Sequence, residues 1–152
     1  MNLREIDLRM MEEALRVARA APESEIPVGA VVFTDEGKLV SSRHNLVETS
    51  HDVTAHAEML VLRDTFLLFE SKYLTGCTIA VTLEPCGMCS LAIREARIPR
   101  VVFGAFSQSQ FSSRYDLLRD SSLGDVPEVR GGVLEGECSE MLRGKFRSLR
   151  ER

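Results

Sequence analysis

The stretch CTIAVTLEPCGMCSLAIREARIPRVVFGA, residues 77–105, contains the alternation of elements that decides the fold. Its apolar run at 77–83 predicts a buried strand, the segment 86–96 predicts a helix, and RVVFGA at 100–105 predicts another strand. Pro85 lies where that helix is expected to begin, a position that suits proline. Because a helix connects the two strands, we expect them to pair in parallel.

The residues before this stretch predict two helices and a hairpin. Apolar side chains recur at steps of three and four from Ile6 to Ala21, which is the pattern of an amphipathic helix. Two strands rich in β-branched residues follow within 26–45 and flank a turn at 35–37, as in an antiparallel hairpin. Thr54 is expected to cap a second helix over about 55–69.

The residues after this stretch complete the sheet. A polar loop occupies 106–125, a fifth strand is expected at 128–134, and a final helix is expected at 137–152. No internal repeat or linker divides the chain, so we expect one domain over residues 1–152. The predicted fold is an α/β mixed sheet with helices on both faces.

The composition is that of a soluble globular protein, with 44% hydrophobic and 28% charged residues among 152. A net charge of −4 lowers the expectation of nucleic-acid binding, although a local basic patch can still act on an acidic protein. No apolar run approaches the roughly 18 residues of a membrane helix, and the acidic N-terminus does not resemble an export signal. We therefore expect no membrane association and a cytoplasmic location, where a Cys-x-x-Cys pair indicates metal or redox chemistry.

The candidate metal-binding and catalytic residues lie in two stretches, TAHAEML (54–60) and EPCGMCS (84–90). Cys86 and Cys89 lie at the start of a predicted helix, where the helix dipole favours the thiolates that bind zinc. His56 lies near the start of the other helix, so two helix N-termini can converge on one ion. Three protein ligands leave the fourth tetrahedral position open to water, which is the arrangement of catalytic rather than structural zinc.

Glu58 lies two residues after the histidine, close enough to reach that water without being a ligand. The order H-x-E followed by P-C-x-x-C is typical of zinc deaminases. Zinc lowers the pKa of water toward about 7, and Glu58 would move protons to a ring nitrogen and to the leaving amine. Backbone N–H groups around Ala57 and Cys86 are candidate donors to the substrate. The expected reaction is hydrolytic deamination.

A structural zinc site and a redox pair are the alternatives for these cysteines. A structural zinc needs a fourth protein ligand, and the spare thiols of Cys77 and Cys138 have no motif spacing to the others. Both are expected to be buried core thiols. A thioredoxin-like pair explains neither His56 nor Glu58.

EIPVGAVV, TAHAEML, VTLEPCGMC and ARIPRVVFGA resemble the cytidine deaminase superfamily, and most closely its tRNA adenosine deaminase branch. The similarity covers nearly the whole chain. It implies a three-layer α/β/α fold with a five-stranded mixed sheet, one zinc per subunit and a homodimer. By position it implies that His56, Cys86 and Cys89 are the zinc ligands and that Glu58 is the proton shuttle.

The resemblance also implies contacts to the substrate. Asn45 matches an asparagine that hydrogen-bonds the substrate, and Val28 lies where the pocket wall is expected. Ala57 completes this candidate set through its backbone N–H. Asparagine is equally typical of turns, so a turn role for Asn45 stays open.

The sequence departs from the tRNA adenosine deaminase branch near the expected substrate. That branch typically has an Asp, a Lys and a Gly-Ala pair after the fourth strand, whereas this chain has FSQSQFSSRYDLL at 106–118. Val53 replaces a usual proline and Leu91 replaces a usual glycine. Together with the acidic pI, these departures favour a free nucleobase or a related small heterocyclic amine, of the cytosine, isocytosine or guanine type.

Two alternative functions remain. Overall similarity favours adenosine at the wobble position of a tRNA anticodon, flipped into the pocket. A basic run could meet the RNA phosphates or form a solvated helix face; it consists of Arg143, Lys145, Arg147, Arg150 and Arg152. The weaker alternative is a non-catalytic, zinc-stabilised partner subunit, in which Glu58 would have no task.

Overall fold

The computed structural model describes residues 2–108 and 115–151. Its helices are α1 (Leu3–Arg19), α2 (Val47–Ser50), α3 (Ala57–Phe69), α4 (Gly87–Glu95) and α5 (Glu135–Arg150). Its strands are β1 (Gly29–Thr34), β2 (Leu39–His44), β3 (Cys77–Leu83), β4 (Arg100–Ala105) and β5 (Glu128–Arg130). Of the predicted polar loop, residues 109–114 lie outside the described part of the chain.

The strands form one mixed sheet in the order β2-β1-β3-β4-β5. β1 is antiparallel to both β2 and β3, while β3, β4 and β5 run parallel to one another. The parallel pair β3–β4 flanks α4, as the alternation in residues 77–105 predicts. The prediction of a five-stranded mixed sheet is confirmed.

Helices cover both faces of the sheet because the strand side chains alternate in direction. Val31, Ala80 and Val102 are paired across β1, β3 and β4 and pack with apolar residues of α1 and α5. The next row, which includes Val32 and Ile79, packs with α3 and α4. The sheet is therefore the central layer of an α/β/α arrangement. Within the described ranges, no helix combines the length and apolar character that a membrane crossing requires.

A buried carboxylate fastens α1 to the parallel strands. Asp7 is fully buried and accepts hydrogen bonds from the guanidinium groups of Arg100 on β4 and Arg130 on β5. Burial alone would raise the pKa of Asp7, but these charged donors outweigh burial and hold that pKa below its ordinary value. This ion pair network links the first helix to the far edge of the sheet.

The start of α3 differs from the prediction. Its N-cap is His56, and Thr54 lies outside the helix. The Asp52 carboxylate accepts hydrogen bonds from both the backbone N–H of Thr54 (2.8 Å) and its hydroxyl (2.7 Å), so Thr54 belongs to a turn. The prediction of Thr54 as the cap was wrong for this reason. Pro85 likewise precedes the N-cap of α4, Cys86, instead of occupying the first helical turn.

The fifth strand is shorter than the predicted 128–134 because two glycines end it. The ring of Phe103 occupies the space that a Cβ would need at Gly131, so the chain passes over that ring. Gly132 then adopts a left-handed φ of 83°, which β-strands do not use. α5 follows from Glu135, two residues earlier than predicted.

Candidate active site

Two helix N-termini meet at the edge of the sheet where β3 ends. His56 is the N-cap of α3, and Cys86 is the N-cap of α4. Cys86 follows β3 after two connecting residues, so the strand fixes the entry to α4. The free N–H groups and the dipoles of both helices make this a region of positive potential, which stabilises thiolates and developing negative charge.

His56, Cys86 and Cys89 are close enough to share a metal ion. The Nδ1 atom of His56 lies 3.6 Å from the Sγ atom of Cys86 and 3.4 Å from that of Cys89. Ligand atoms on tetrahedral Zn²⁺ with ordinary Zn–N and Zn–S bond lengths are about 3.6 Å apart. The donor set therefore fits zinc, and in the described part of the chain it comprises these three residues. Cys77 is not part of this group.

The two thiols are unequal. The pKa of Cys86 is lowered to about 4, chiefly by a hydrogen bond from Cys89 and also by one from His56. Burial acts in the opposite direction but is outweighed. The pKa of Cys89 is raised, because its thiol donates to Cys86 and is buried beside the Glu58 carboxylate. The hydrogen bond to Cys86 also raises the pKa of His56. Both sulfur atoms lie within reach of the Nδ1 atom of His56, where Zn²⁺ would bind them as thiolates.

Glu58 is a buried carboxylate in the first turn of α3, with 4% of its surface exposed. Burial raises its pKa above the ordinary value for glutamate. Its carboxylate lies beside the Cys89 thiol, which places it at the cluster. A buried carboxylate with a raised pKa is a stronger base than an exposed glutamate, which suits it to take a proton from water.

A cavity of about 280 Å³ opens onto these residues. The candidate substrate residues Val28, Asn45 and Ala57 line it, together with His56 and Glu58. The cavity wall also includes residues that the sequence did not predict: Ile26, Leu83, Glu84 and Ser107. The structure thus brings all the candidate site residues to one place.

Asn45 is both a turn residue and part of the cavity wall. Its Oδ1 accepts a hydrogen bond from the backbone N–H of Val47 (3.2 Å), and its Nδ2 donates to the carbonyl of Ile26 (3.4 Å). Its backbone N–H donates to the carbonyl of Val28 (3.0 Å). The two interpretations of Asn45 are therefore compatible, because the turn contacts hold its amide at the cavity.

Glu84 and Ser107 join the cavity because β3 and β4 are parallel. Their carboxyl ends lie at the same edge of the sheet, and the Glu84 carboxylate accepts a hydrogen bond from the Ser107 backbone N–H (3.0 Å). The predicted parallel pairing was the signal that could have identified them. Residues directly after both strands are expected at one edge.

Glu25 is a second buried carboxylate that the sequence did not single out, with 1% of its surface exposed. It accepts hydrogen bonds from the backbone N–H of Glu48 (3.1 Å) and from both the N–H and the hydroxyl of Thr49 (2.6 and 2.5 Å). These contacts attach α2 to the loop before β1. α2 follows Asn45 directly, so Glu25 supports that side of the cavity.

Most basic residues of α5 are exposed, whereas Lys145 is half-buried. Arg143 and Arg147 both pair with the carboxylate of Glu140, so much of their charge is balanced locally. Arg152 lies outside the described residues. This arrangement agrees with a solvated helix face, and the local pairing weakens the case for an extended phosphate-binding run.

Residues 4–105 match the family described as the cytidine and deoxycytidylate deaminase zinc-binding region. The chain is 41% identical over 145 residues to the tRNA-specific adenosine deaminase of Bacillus subtilis (strain 168), covering 93% of this chain and 89% of that protein. It is 44% identical over 145 residues to a tRNA(Ile)-lysidine synthase of Deinococcus deserti, with 93% of this chain covered. The chain spans only 27% of the length of that relative.

The fold is also similar to that of a solved protein from structural studies of A-to-I editing by tRNA:A34 deaminases at the wobble position. The TM-score is 0.81 at 36% identity, with 88% of this chain and 99% of the other covered. These similarities confirm the resemblance inferred from the motifs, the fold class, zinc as the cofactor and a hydrolytic deaminase as the class of enzyme.

The same similarities contradict the favoured prediction of a free nucleobase or small heterocycle as substrate. That prediction depended on the acidic net charge and on the unusual residues 106–118. Net charge describes the whole surface and says little about a local binding patch. The unusual residues form a limited part of a chain that is otherwise similar throughout to tRNA-specific adenosine deaminases.

Proposed function

Because the chain belongs to the cytidine and deoxycytidylate deaminase family, we propose that it is a tRNA-specific adenosine deaminase that converts wobble adenosine to inosine. The observation that carries the proposal is 41% identity to such an enzyme across 93% of this chain and 89% of the relative. We propose that residues 1–152 act as one deaminase domain. The same identity sets aside a small heterocycle as substrate. A non-catalytic subunit is set aside because the buried Glu58 beside the cluster supports catalysis.

We assign His56, Cys86 and Cys89 as the residues that hold the zinc ion. Their mutual distances and the low pKa of Cys86 support this assignment. When bound with an open coordination position, zinc supplies the acidity that makes water a nucleophile at neutral pH.

Glu58 is the proposed proton carrier. Its carboxylate takes a proton from the attacking water and delivers it to N1 of the adenine ring as the C6–O bond forms. The new C6 hydroxyl then gives up its proton through Glu58 to the exocyclic nitrogen. The C6–N bond breaks, ammonia leaves, and the carboxylate returns to its starting state. The raised pKa of Glu58 makes its carboxylate a stronger base for taking this proton from water.

The cavity is suited to a single flipped base. Its volume of about 280 Å³ lies near the lower end of ordinary ligand pockets, at about 300 Å³, so a stacked or paired base would not fit. Val28 offers an apolar surface to one side of the ring. The side-chain amide of Asn45 and the backbone N–H of Ala57 are the proposed hydrogen-bonding groups for the nucleoside.

We further propose that the protein is a homodimer in the cytoplasm. Exposed apolar side chains on neighbouring helices support an interface: Leu67 and Leu68 on α3, and Met88 and Leu91 on α4. The cytoplasmic location rests on the tRNA substrate. Size measurement in solution would test the dimer, and a monomer at micromolar concentration would contradict it.

The proposed function is tested by incubating the purified protein with tRNA transcripts that have either adenosine or guanosine at the wobble position. Nuclease digestion and mass spectrometry should detect inosine at that position in the adenosine transcript. The guanosine transcript should remain unchanged. The Glu58→Ala protein, as a matched control, should yield no inosine. Absence of inosine with the zinc-loaded wild-type protein would contradict the proposal.

A further inference from the structure

The guanidinium group of Arg94 binds four backbone carbonyls of one segment. Arg94 lies in the last turn of α4. Its Nη1 donates to the carbonyls of Leu117 (3.0 Å) and Asp120 (2.5 Å), and its Nη2 donates to those of Gly124 (3.1 Å) and Asp125 (2.9 Å). We refer to residues 117–125 as the clamped segment.

The clamped segment has little regular structure of its own. It contains one short 3₁₀ turn, Ser121–Leu123, which the Asp120 side chain caps through the backbone N–H of Ser122. Its carbonyls are bound by a charged, planar group with donors at fixed angles, although that of Asp120 also accepts the backbone N–H of Leu123 (3.3 Å). Lysine has three N–H donors on a single atom and so cannot bind four carbonyls at once. Arg94 therefore determines the path of the segment.

The clamped segment borders the active site. The Cδ1 atom of Leu117 lies 3.4 Å from the point where a Cβ would stand on Gly87, the residue directly after Cys86. Leu118, with 3% of its surface exposed, is buried in the same core cluster as Val28 and Ala57. The segment is thus held at α4 in two places: beside Cys86 through Leu117, and at the opposite end of the helix through Arg94.

A flipped base leaves its neighbouring nucleotides outside the cavity, against whatever surrounds the opening. We propose that Arg94 is a positioning residue for RNA recognition: it fixes the clamped segment beside the cavity so that RNA flanking the target adenosine meets an already ordered surface. This inference rests on the proposed function. When this surface is ordered in only a fraction of the molecules, the apparent affinity falls in proportion to that ordered fraction.

The inference predicts a change in substrate affinity with little change in chemistry. With an anticodon stem-loop, Arg94→Ala and Arg94→Lys should each raise KM about tenfold, while kcat should change by less than about twofold. The zinc content should equal that of the wild-type protein. Hydrogen exchange of peptides covering 117–125 should become faster in both variants, with α3 unchanged.

Arg16→Ala is the matched control. Arg16 lies on α1, which packs on the opposite face of the sheet from α4, and its exposed guanidinium pairs with Glu13. Its removal deletes the same charge without touching the clamped segment or its backbone carbonyls. We expect its KM to stay within about twofold of the wild-type value.

Specific results would overturn the inference. An equal rise in KM for Arg16→Ala, or a wild-type KM for Arg94→Lys, would assign the effect to charge instead of position. Unchanged exchange in 117–125, or loss of the folded state in both Arg94 variants, would also overturn it. If the zinc-loaded wild-type protein does not deaminate the stem-loop, the proposed function fails and the RNA role of Arg94 fails with it. Faster hydrogen exchange of residues 117–125 in the Arg94 variants would then still show that Arg94 orders the clamped segment.

Discussion

The Nδ1 atom of His56 lies 3.4 Å from the Sγ atom of Cys89, although the two residues are 33 positions apart and belong to different helices. The packing of α3 and α4 on the same face of the sheet creates this proximity. The proposed zinc site therefore depends on the tertiary arrangement of two elements. Metal binding and the stability of the fold should be coupled for the same reason.

Cys89→Ser is expected to remove zinc from the protein. The two remaining ligands bind Zn²⁺ weakly, and without the ion its bridge between the N-terminal ends of α3 and α4 is lost. Metal analysis should show a zinc content far below that of the wild-type protein, and the melting temperature should fall. Cys77→Ser is the control, because this thiol is buried outside the cluster; it should keep its zinc. Full zinc in Cys89→Ser would refute the assigned ligand set.

Glu58→Gln should keep zinc and fold but lose activity. The amide has nearly the same shape as the carboxylate, yet it cannot carry a proton between water and the base. A loss of about 10²–10⁴-fold in kcat is expected from the removal of a general acid–base group. Single-turnover measurement of inosine formation would detect it. If the variant kept a rate within a few-fold of wild type, Glu58 would not be the proton carrier.

Asn45→Ala should impair substrate use more than stability. Loss of its turn contacts is expected to cost about 1 kcal/mol of unfolding free energy. Loss of a hydrogen bond to the nucleoside should lower kcat/KM by about 10–100-fold. Urea titration and steady-state kinetics measure the two effects separately. A drop in stability with unchanged kcat/KM would leave Asn45 with the turn role alone.

Asp7→Asn should destabilise the fold without affecting zinc. Neutralising the buried carboxylate weakens its pairs with both arginines. Because Arg100 also pairs with Glu128 and Arg130 is partly exposed, we expect a cost of about 3 kcal/mol, the lower end for a broken buried pair. Urea titration at pH 7 should show this loss. Glu140→Gln is the control, because its pairs with Arg143 and Arg147 are exposed and should contribute less than about 1 kcal/mol. Equal effects of the two substitutions would contradict the importance of the Asp7 network.

The same carboxylate predicts a pH dependence of stability. The pKa of Asp7 is lower in the folded protein than its ordinary value of 3.8. Its contribution is therefore complete above the unfolded-state value and is lost as the pH falls through the folded-state pKa. Between pH 5 and pH 2 the wild-type protein should lose more unfolding free energy than Asp7→Asn. Parallel pH profiles for the two proteins would be inconsistent with a lowered pKa.

The sequence predicted those features of the fold that depend on local patterns. The strand–helix–strand order in 77–105 indicated the parallel pair, and the short spacings around His56 and Cys86 indicated a metal site. Two boundaries of these elements were not predicted. β5 ends early because the ring of Phe103 lies against Gly131, and a pattern in the sequence does not report such a contact. The N-cap of α3 is His56 and not the predicted Thr54, because the Asp52 carboxylate holds Thr54 in a turn before the helix.

The cavity was only partly predictable for similar reasons. Val28, Asn45 and Ala57 were inferred from the family resemblance, whereas Glu84 and Ser107 meet because two parallel strands end together. The substrate prediction was wrong because an overall charge and one unusual loop carried too much weight. Neither property describes the groups that contact the base.

The most direct measurement of the central claim is the initial rate of ammonia release from a panel of substrates at equal concentration. The panel contains an anticodon stem-loop with wobble adenosine, the free bases cytosine, isocytosine, guanine and adenine, and the corresponding nucleosides. A tRNA-specific adenosine deaminase should release ammonia from the stem-loop, with no turnover of the free bases above the Glu58→Ala background. Release from a free base, with none from the stem-loop, would contradict the account.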